Sequence, residues 1–327
     1  MNSLRKLLTT TMAAIFVLVT FAGGTAQAEY PEKPVKVIVP YAAGGFTDST
    51  VRVIQKGLTK TLPQPMVVIN VPGGGAVIGA RQAKDLPADG YNLLVHIVAL
   101  ITTRVMGVSD FGTEAFEPIA QTGTNDMMIC VAKKSPYKTL DDLVAAAKAK
   151  PKTLREAVNI GAIVHFLSLM FCDAAGDMQV RYVQTGGGAK RLASILGGHA
   201  DYCILGTTEA KATYESGDIR VLAVLADKRS RFYPDVPTAK ELGYGAPYFG
   251  MDLWWFAPKG TPLDRIKVME TALAKAVEIP EVSDSLQARA MEVAYMDRAQ
   301  LTQKLANIKQ MVEALAKKKN ISLKKKK

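Results

Sequence analysis

Apolar runs of four or five residues alternate with longer amphipathic stretches along almost the whole chain. Val35–Val39, Met66–Asn70, Asn92–Val95, Met127–Val131, Val180–Val183, Asp201–Leu205, Val221–Leu225 and Leu253–Ala257 read as strands. They are short, nearly continuous and rich in Val and Ile, as strands covered on both faces are. Between them, Val51, Ile54 and Leu58 fall on one helical face, and Leu140, Leu143 and Ala147 on another. Thr139, with Asp142 three residues later, predicts a helix start. The C-terminal part reads as mainly helical, with Pro262 and Pro280 near helix starts. This alternation predicts an α/β protein with mainly parallel sheets.

Two passages interrupt the alternation. Around 118–131 two apolar runs flank a polar, glycine-containing break, and 247–262 repeats that pattern. Two chain crossings predict an outer domain of residues 29–124 and 252–327 and an inserted domain of residues 125–251. A cleft between such domains is a favoured ligand site.

Charge changes the picture only at the ends. The chain carries a net +11, but Arg5, Lys6 and the seven lysines at 317–319 and 324–327 supply most of it. Residues 29–316 keep only +2, so the body is close to neutral and a nucleic-acid reading loses its main support. The lysine tail, 317–327, is expected to be solvated and disordered. Arg5 and Lys6, the apolar stretch that follows and Ala26-Gln27-Ala28 predict an export signal cleaved near Ala28, hence a periplasmic protein. Cys130, Cys172 and Cys203 sit in apolar contexts and read as buried thiols, with one disulfide left open. No C-x-x-C or Cys/His cluster suggests a metal, and no cofactor is expected.

Four glycine-rich turns carry the chemistry. Ala43-Gly44-Gly45-Phe46-Thr47-Asp48 follows a strand and opens a helix. Glycine allows the tight turn, and the first helical N–H groups with the positive end of the dipole favour an anion there. Thr47 or Asp48 is expected to cap the helix. An acid in the turn argues against phosphate and for a carboxylate. Pro72–Gly79 lacks both the G-x-G-x-x-G spacing and the Gly-Lys-Ser/Thr of a P-loop. Thr185-Gly186-Gly187-Gly188 repeats the logic of the first turn in the second half, and Gly197-Gly198 reads as a helix end. Two such turns facing each other could grip a ligand with two acidic ends.

A catalytic set is missing. No G-x-S-x-G elbow accompanies His96, His165 and His199. His165 is expected near the cleft as a hydrogen-bonding residue. Glu114 with Glu117, and Asp141 with Asp142, read as solvated faces and helix starts. Of Trp254 and Trp255, one is expected in the core and one toward the cleft.

The chain resembles the solute-binding proteins of the tripartite tricarboxylate transporters, the Bug family. The likeness runs from Tyr30-Pro31-Glu32-Lys33-Pro34 and Pro40–Asp48 through Asn70–Gly75 with Gly79, and Ala88-Asp89-Gly90-Tyr91. It continues through Gly197–Asp201, Gly217–Ala223 and Asp235-Val236-Pro237-Thr238 to Ala257–Pro262. The resemblance implies a two-domain Venus-flytrap protein that binds a small organic acid and hands it to membrane permease subunits, acting as a monomer and without catalysis. It implies a ligand carboxylate on the first loop, at Tyr41, Ala43, Gly44, Gly45, Phe46, Thr47 and Asp48. It places the other end near Gly161, Ala162, His165, Thr185, Gly186, Gly187 and Gly188, with Gly206 and Thr207. The family usually carries a Gly-x-Gly-Ser type loop where this chain has Asn159–His165, with one glycine and no serine. That departure implies a mono- or dicarboxylate with a less hydrophilic end, aromatic or longer-chain. Gly188 likewise replaces a more usual side chain. A sensory binder signalling to a membrane kinase and an exported hydrolase using His165 are the alternative readings.

Overall fold

The computed structural model describes residues 30–321, so the expected export signal and the lysines at 324–327 lie outside the described residues. Two five-stranded sheets carry the fold. The strands are β1 (Val35–Val39), β2 (Met66–Asn70), β3 (Asn92–His96), β4 (Phe116–Gly123), β5 (Met127–Ala132), β6 (Arg155–Val158), β7 (Arg181–Gln184), β8 (Tyr202–Gly206), β9 (Ile219–Leu225) and β10 (Leu253–Pro258). Their order is β2-β1-β3-β10-β4 in the first sheet and β7-β6-β8-β5-β9 in the second. In each sheet four strands point one way, and only the strand by which the chain enters runs against them. That strand is β10 in the first sheet and β5 in the second, so the sheets are mainly parallel with the reversal at the crossing.

The crossings are pinned to each other. Met251 donates its N–H to the carbonyl of Asn125 at 2.9 Å, so the outgoing and returning segments share a hydrogen bond. Thr124 and Glu292 exchange backbone hydrogen bonds at 2.9 and 3.0 Å, adding a third segment. β4 falls outside the strands read from the sequence, because Glu117, Pro118, Gln121 and Thr122 break its apolar run. The strand-like stretch of residues 156–164 is a strand only at its start, in β6, and its last two residues are helical.

Helices cover both sheets: α1 (Phe46–Thr61), α2 (Val77–Lys84), α3 (Ala99–Val105), α4 (Leu140–Ala149), α5 (Ile163–Ala174), α6 (Gly188–Leu196), α7 (Thr207–Glu215), α8 (Leu263–Glu278), α9 (Pro280–Gln287) and α10 (Arg298–Lys318). The apolar stripe of α1, Val51, Ile54 and Leu58, is buried, and Gly57 lets α8 approach so closely that a Cβ there would stand 2.8 Å from the carbonyl of Ala276. Thr139 and Asp142 form the expected reciprocal cap of α4. Lys317 and Lys318 are not a free tail. They end α10, and Lys318 pairs with Asp173 of α5 at 2.6 Å while Lys319 reaches Asp177 at 3.3 Å, because the buried face of α10 carries its last turn to that helix.

Other expectations are corrected by packing. Trp254 and Trp255 are both fully buried on opposite faces of the first sheet, their indole N–H groups donating to Gln121 at 3.2 Å and Thr122 at 2.9 Å. Neither faces a cleft. Glu117 is buried between Lys259 at 2.7 Å and Arg298 at 3.0 Å rather than solvated. Cys130, Cys172 and Cys203 are buried free thiols.

Candidate functional site

Parallel strands deliver their carboxyl ends, and the helices that follow them, to one side of each sheet, where ligands gather in open α/β folds. Here that side encloses a cavity of 510 Å³. The chain turns from β1 into α1, from β6 into α5 and from β7 into α6 at its wall. The three helices start at Gly45, Ala162 and Gly187, all in extended conformation and all without a side-chain cap. Their first-turn N–H groups therefore keep the positive potential that a cap would absorb.

The first turn is held from behind. Gly45 is the helix cap position, not Thr47 or Asp48, and Asp48 folds back to accept the N–H of Gly44 at 2.7 Å. Arg52 Nε donates to the same carboxylate at 3.0 Å and Asn70 Nδ2 at 2.9 Å, while Asn70 also donates to the carbonyl of Tyr41. Burial works to raise the Asp48 carboxyl, but these donors outweigh it and hold it below its ordinary value. The phenol oxygen of Tyr41 and the hydroxyl of Thr102 are buried without a partner among the described residues, and both residues line the cavity.

The second half contributes two turns. Gly161 has φ +85° and faces Met106 of the first half across the cavity. Its N–H is taken by Nδ1 of His165 at 3.2 Å. His165 is 5% exposed, packs edge-on to Tyr182 at 5.0 Å, and has its pKa lowered by burial, so it sits behind the wall as a neutral acceptor. In the turn before α6, Arg191 donates Nη1 to the carbonyl of Gly186, Nε to that of Ile204 and Nη2 to Glu209 Oε2, each at 2.9 Å. Glu209 lies against Gly188, where any Cβ would overlap its carboxylate.

Of the residues expected at the site, Tyr41, Gly45, Phe46, Thr47, Gly161, Ala162, Gly187 and Gly188 line the cavity. Ala43, Gly44, Asp48, His165, Thr185 and Gly186 do not; they shape the turns from outside it. Gly206 and Thr207 are also set back. Thr207 is buried at the crossing, bonded to Asn125 and to the carbonyl of Ala290 at 2.7 Å. Sequence reasoning missed Gly74 and Gly75 of the Pro72–Gly79 loop, Thr102 and Met106 at α3, Met251, and the Arg191–Glu209 pair. The charged pair left no local signal, since Lys190 adjoins Arg191 and Thr208 and Lys211 stand beside Glu209 in sequence. Around these groups the wall is apolar, with Ile97, Met106, Val108, Ile160, Ile163 and Val164.

The comparisons with known proteins agree with this architecture. The family model described as the tripartite tricarboxylate transporter family receptor, TctC, matches residues 50–321. Protein BugT of Bordetella pertussis is 30% identical over 292 residues, which span 86% of this chain and 89% of that protein. A solved TctC solute binding protein from Polaromonas shares 29% identity at a TM-score of 0.76, covering 88% of this chain and 99% of its own. The R. palustris protein Rpa4515, solved with adipate, shares the fold at a TM-score of 0.78 with 24% identity, covering 90% of this chain and 99% of its own. The family is described as a receptor and the Polaromonas protein as a solute binding protein, not as enzymes, which removes the hydrolase alternative. The chain belongs to the TctC, or Bug, family of tripartite tricarboxylate transporter receptors.

Proposed function

We propose that the protein captures one small organic carboxylate in the 510 Å³ cavity and delivers it to the permease subunits of a tripartite membrane transporter. One observation carries the reading: the uncapped starts of α1 and α5 open on one largely apolar cavity. A ligand carboxylate seats on the first turn of α1, and its body lies along Met106, Ile160 and Val164. The adipate of the R. palustris neighbour supports a carboxylate of this size. Residues 29–124 with 252–327, and residues 125–251, act as the two domains that close over it, the segments at Asn125 and Met251 serving as the hinge. The mature protein starts after Ala28, works in the periplasm as a monomer, and takes no cofactor.

A thermal-shift series with carboxylic acids and their methyl esters tests this. Ligands that bind only the folded state raise its stability by roughly 2.7 kcal/mol at a hundredfold excess over Kd. Acids should raise the unfolding temperature and their esters should not. Equal shifts by both would show that the helix starts do not hold an anion.

A further inference from the structure

The second glycine turn looks, from its backbone alone, like a seat for a second ligand carboxylate. The protein has placed its own there. Glu209 packs against Gly188, the first residue of α6, and that glycine leaves the space the carboxylate fills. Oε2 takes the N–H of Gly206 at 3.0 Å and Nη2 of Arg191 at 2.9 Å. Oε1 takes no donor among the described residues, and Glu209 lines the cavity with its side chain 21% exposed. Arg191 cannot turn to a ligand without cost, because it is 4% exposed and its other donors are committed to the carbonyls of Gly186 and Ile204.

Resting on the carboxylate reading above, we infer that Glu209 selects a monocarboxylate whose far end carries a hydrogen-bond donor, an ammonium, amide or hydroxyl, and rejects dicarboxylates. A second carboxylate at this end would meet the free oxygen of Glu209, and like charges brought together in a desolvated site repel strongly. A donor group would satisfy that oxygen instead. The first turn of α1 has no such internal acid facing the cavity, since Asp48 is turned to Gly44. The two turns therefore differ in what they accept, although both start from extended glycines.

A matched six-carbon series separates the cases: adipate, 6-aminohexanoate and 6-hydroxyhexanoate, titrated calorimetrically into the wild type and Glu209→Gln. Glutamine keeps the acceptor for Gly206 and Arg191 and removes the charge, and the unliganded unfolding temperature checks that the fold is kept. The wild type should bind 6-aminohexanoate and 6-hydroxyhexanoate at least about tenfold more tightly than adipate. Glu209→Gln should narrow or reverse that ratio by a similar factor. Gly188→Ala, which displaces the Glu209 carboxylate, should move the ratio in the same direction. Adipate binding the wild type as tightly as the donor-bearing acids, with the ratio unmoved in Glu209→Gln, would overturn this inference alone. No binding by any of the three would overturn the carboxylate reading and this inference with it.

Discussion

The carboxylate of Asp48 accepts the backbone N–H of Gly44 at 2.7 Å, so the acid of the first glycine turn braces that turn and leaves the cavity to the helix N–H groups. Removing it in Asp48→Ala strands three donors, from Gly44, Arg52 and Asn70. Gly44 and Arg52 are exposed and can turn to water, so urea denaturation should show a loss of about 1 kcal/mol, the net worth of a hydrogen bond. Ligand affinity should fall with it. An unchanged midpoint would mean that the turn keeps its shape without the carboxylate.

His165 is expected to matter for shape. His165→Ala leaves the N–H of Gly161 without its acceptor and opens a void beside Tyr182 and Phe166. The cost should be about 2–5 kcal/mol, in the range of large-to-small core substitutions. His165→Gln, able to accept the same hydrogen bond, should recover part of it. A substitution with wild-type stability would contradict the buried placement.

Glu156 predicts a pH dependence of stability. It is fully buried in β6, with Tyr202 donating to it at 2.6 Å and Ser168 beside it. Burial pushes its pKa from 4.5 up to about 7, against the pull of those donors. The folded state therefore holds a proton that the unfolded state releases above its ordinary value. The contribution of Glu156 is full below about pH 4.5 and is lost as pH rises to 7, by roughly 1.4 kcal/mol per unit at most. Asp126, raised to about 6 by burial and then by Glu292 and Asp252, adds the same sign below pH 6. Denaturation midpoints for Glu156→Gln should be flatter than wild type between pH 6 and 7. Parallel curves would show that Glu156 is already ionised in the fold.

The thiols should be silent in the native protein. Burial pushes Cys172 up to about 12 and raises Cys130 and Cys203 further, and a reactive cysteine needs an accessible thiolate. A thiol reagent should label none of them until denaturant is added, and then all three. Cys130 lies opposite Cys203 on the neighbouring strand, so a single labelled thiol after denaturation would reveal a bridge between them.

The legible parts of the molecule were those encoded locally. Val35–Val39 or Val221–Leu225 announces a covered strand because every residue in it is apolar or nearly so, and the cap at Thr139 needs only its neighbour Asp142. The glycine turns were legible for the same reason, since backbone conformation is a property of a few adjacent residues. β4 was obscured because its polar residues are satisfied by partners far along the chain, as Gln121 is by the carbonyl of Ala294. The Arg191–Glu209 pair joins two helices that meet only once β7 and β8 are in one sheet. The wall at Met106 depends on the two halves facing each other, which no local pattern records.

Gly187 offers the most direct test of the central claim, because it lines the cavity, has φ −67° and would place a Cβ with nothing within 4 Å. A phenylalanine there adds bulk at the cavity wall without backbone strain. In calorimetric titrations with the best carboxylate found for the wild type, Gly187→Phe should lose all measurable binding while its unliganded unfolding temperature stays within a few degrees. Undiminished affinity in Gly187→Phe would place the ligand elsewhere and contradict the account.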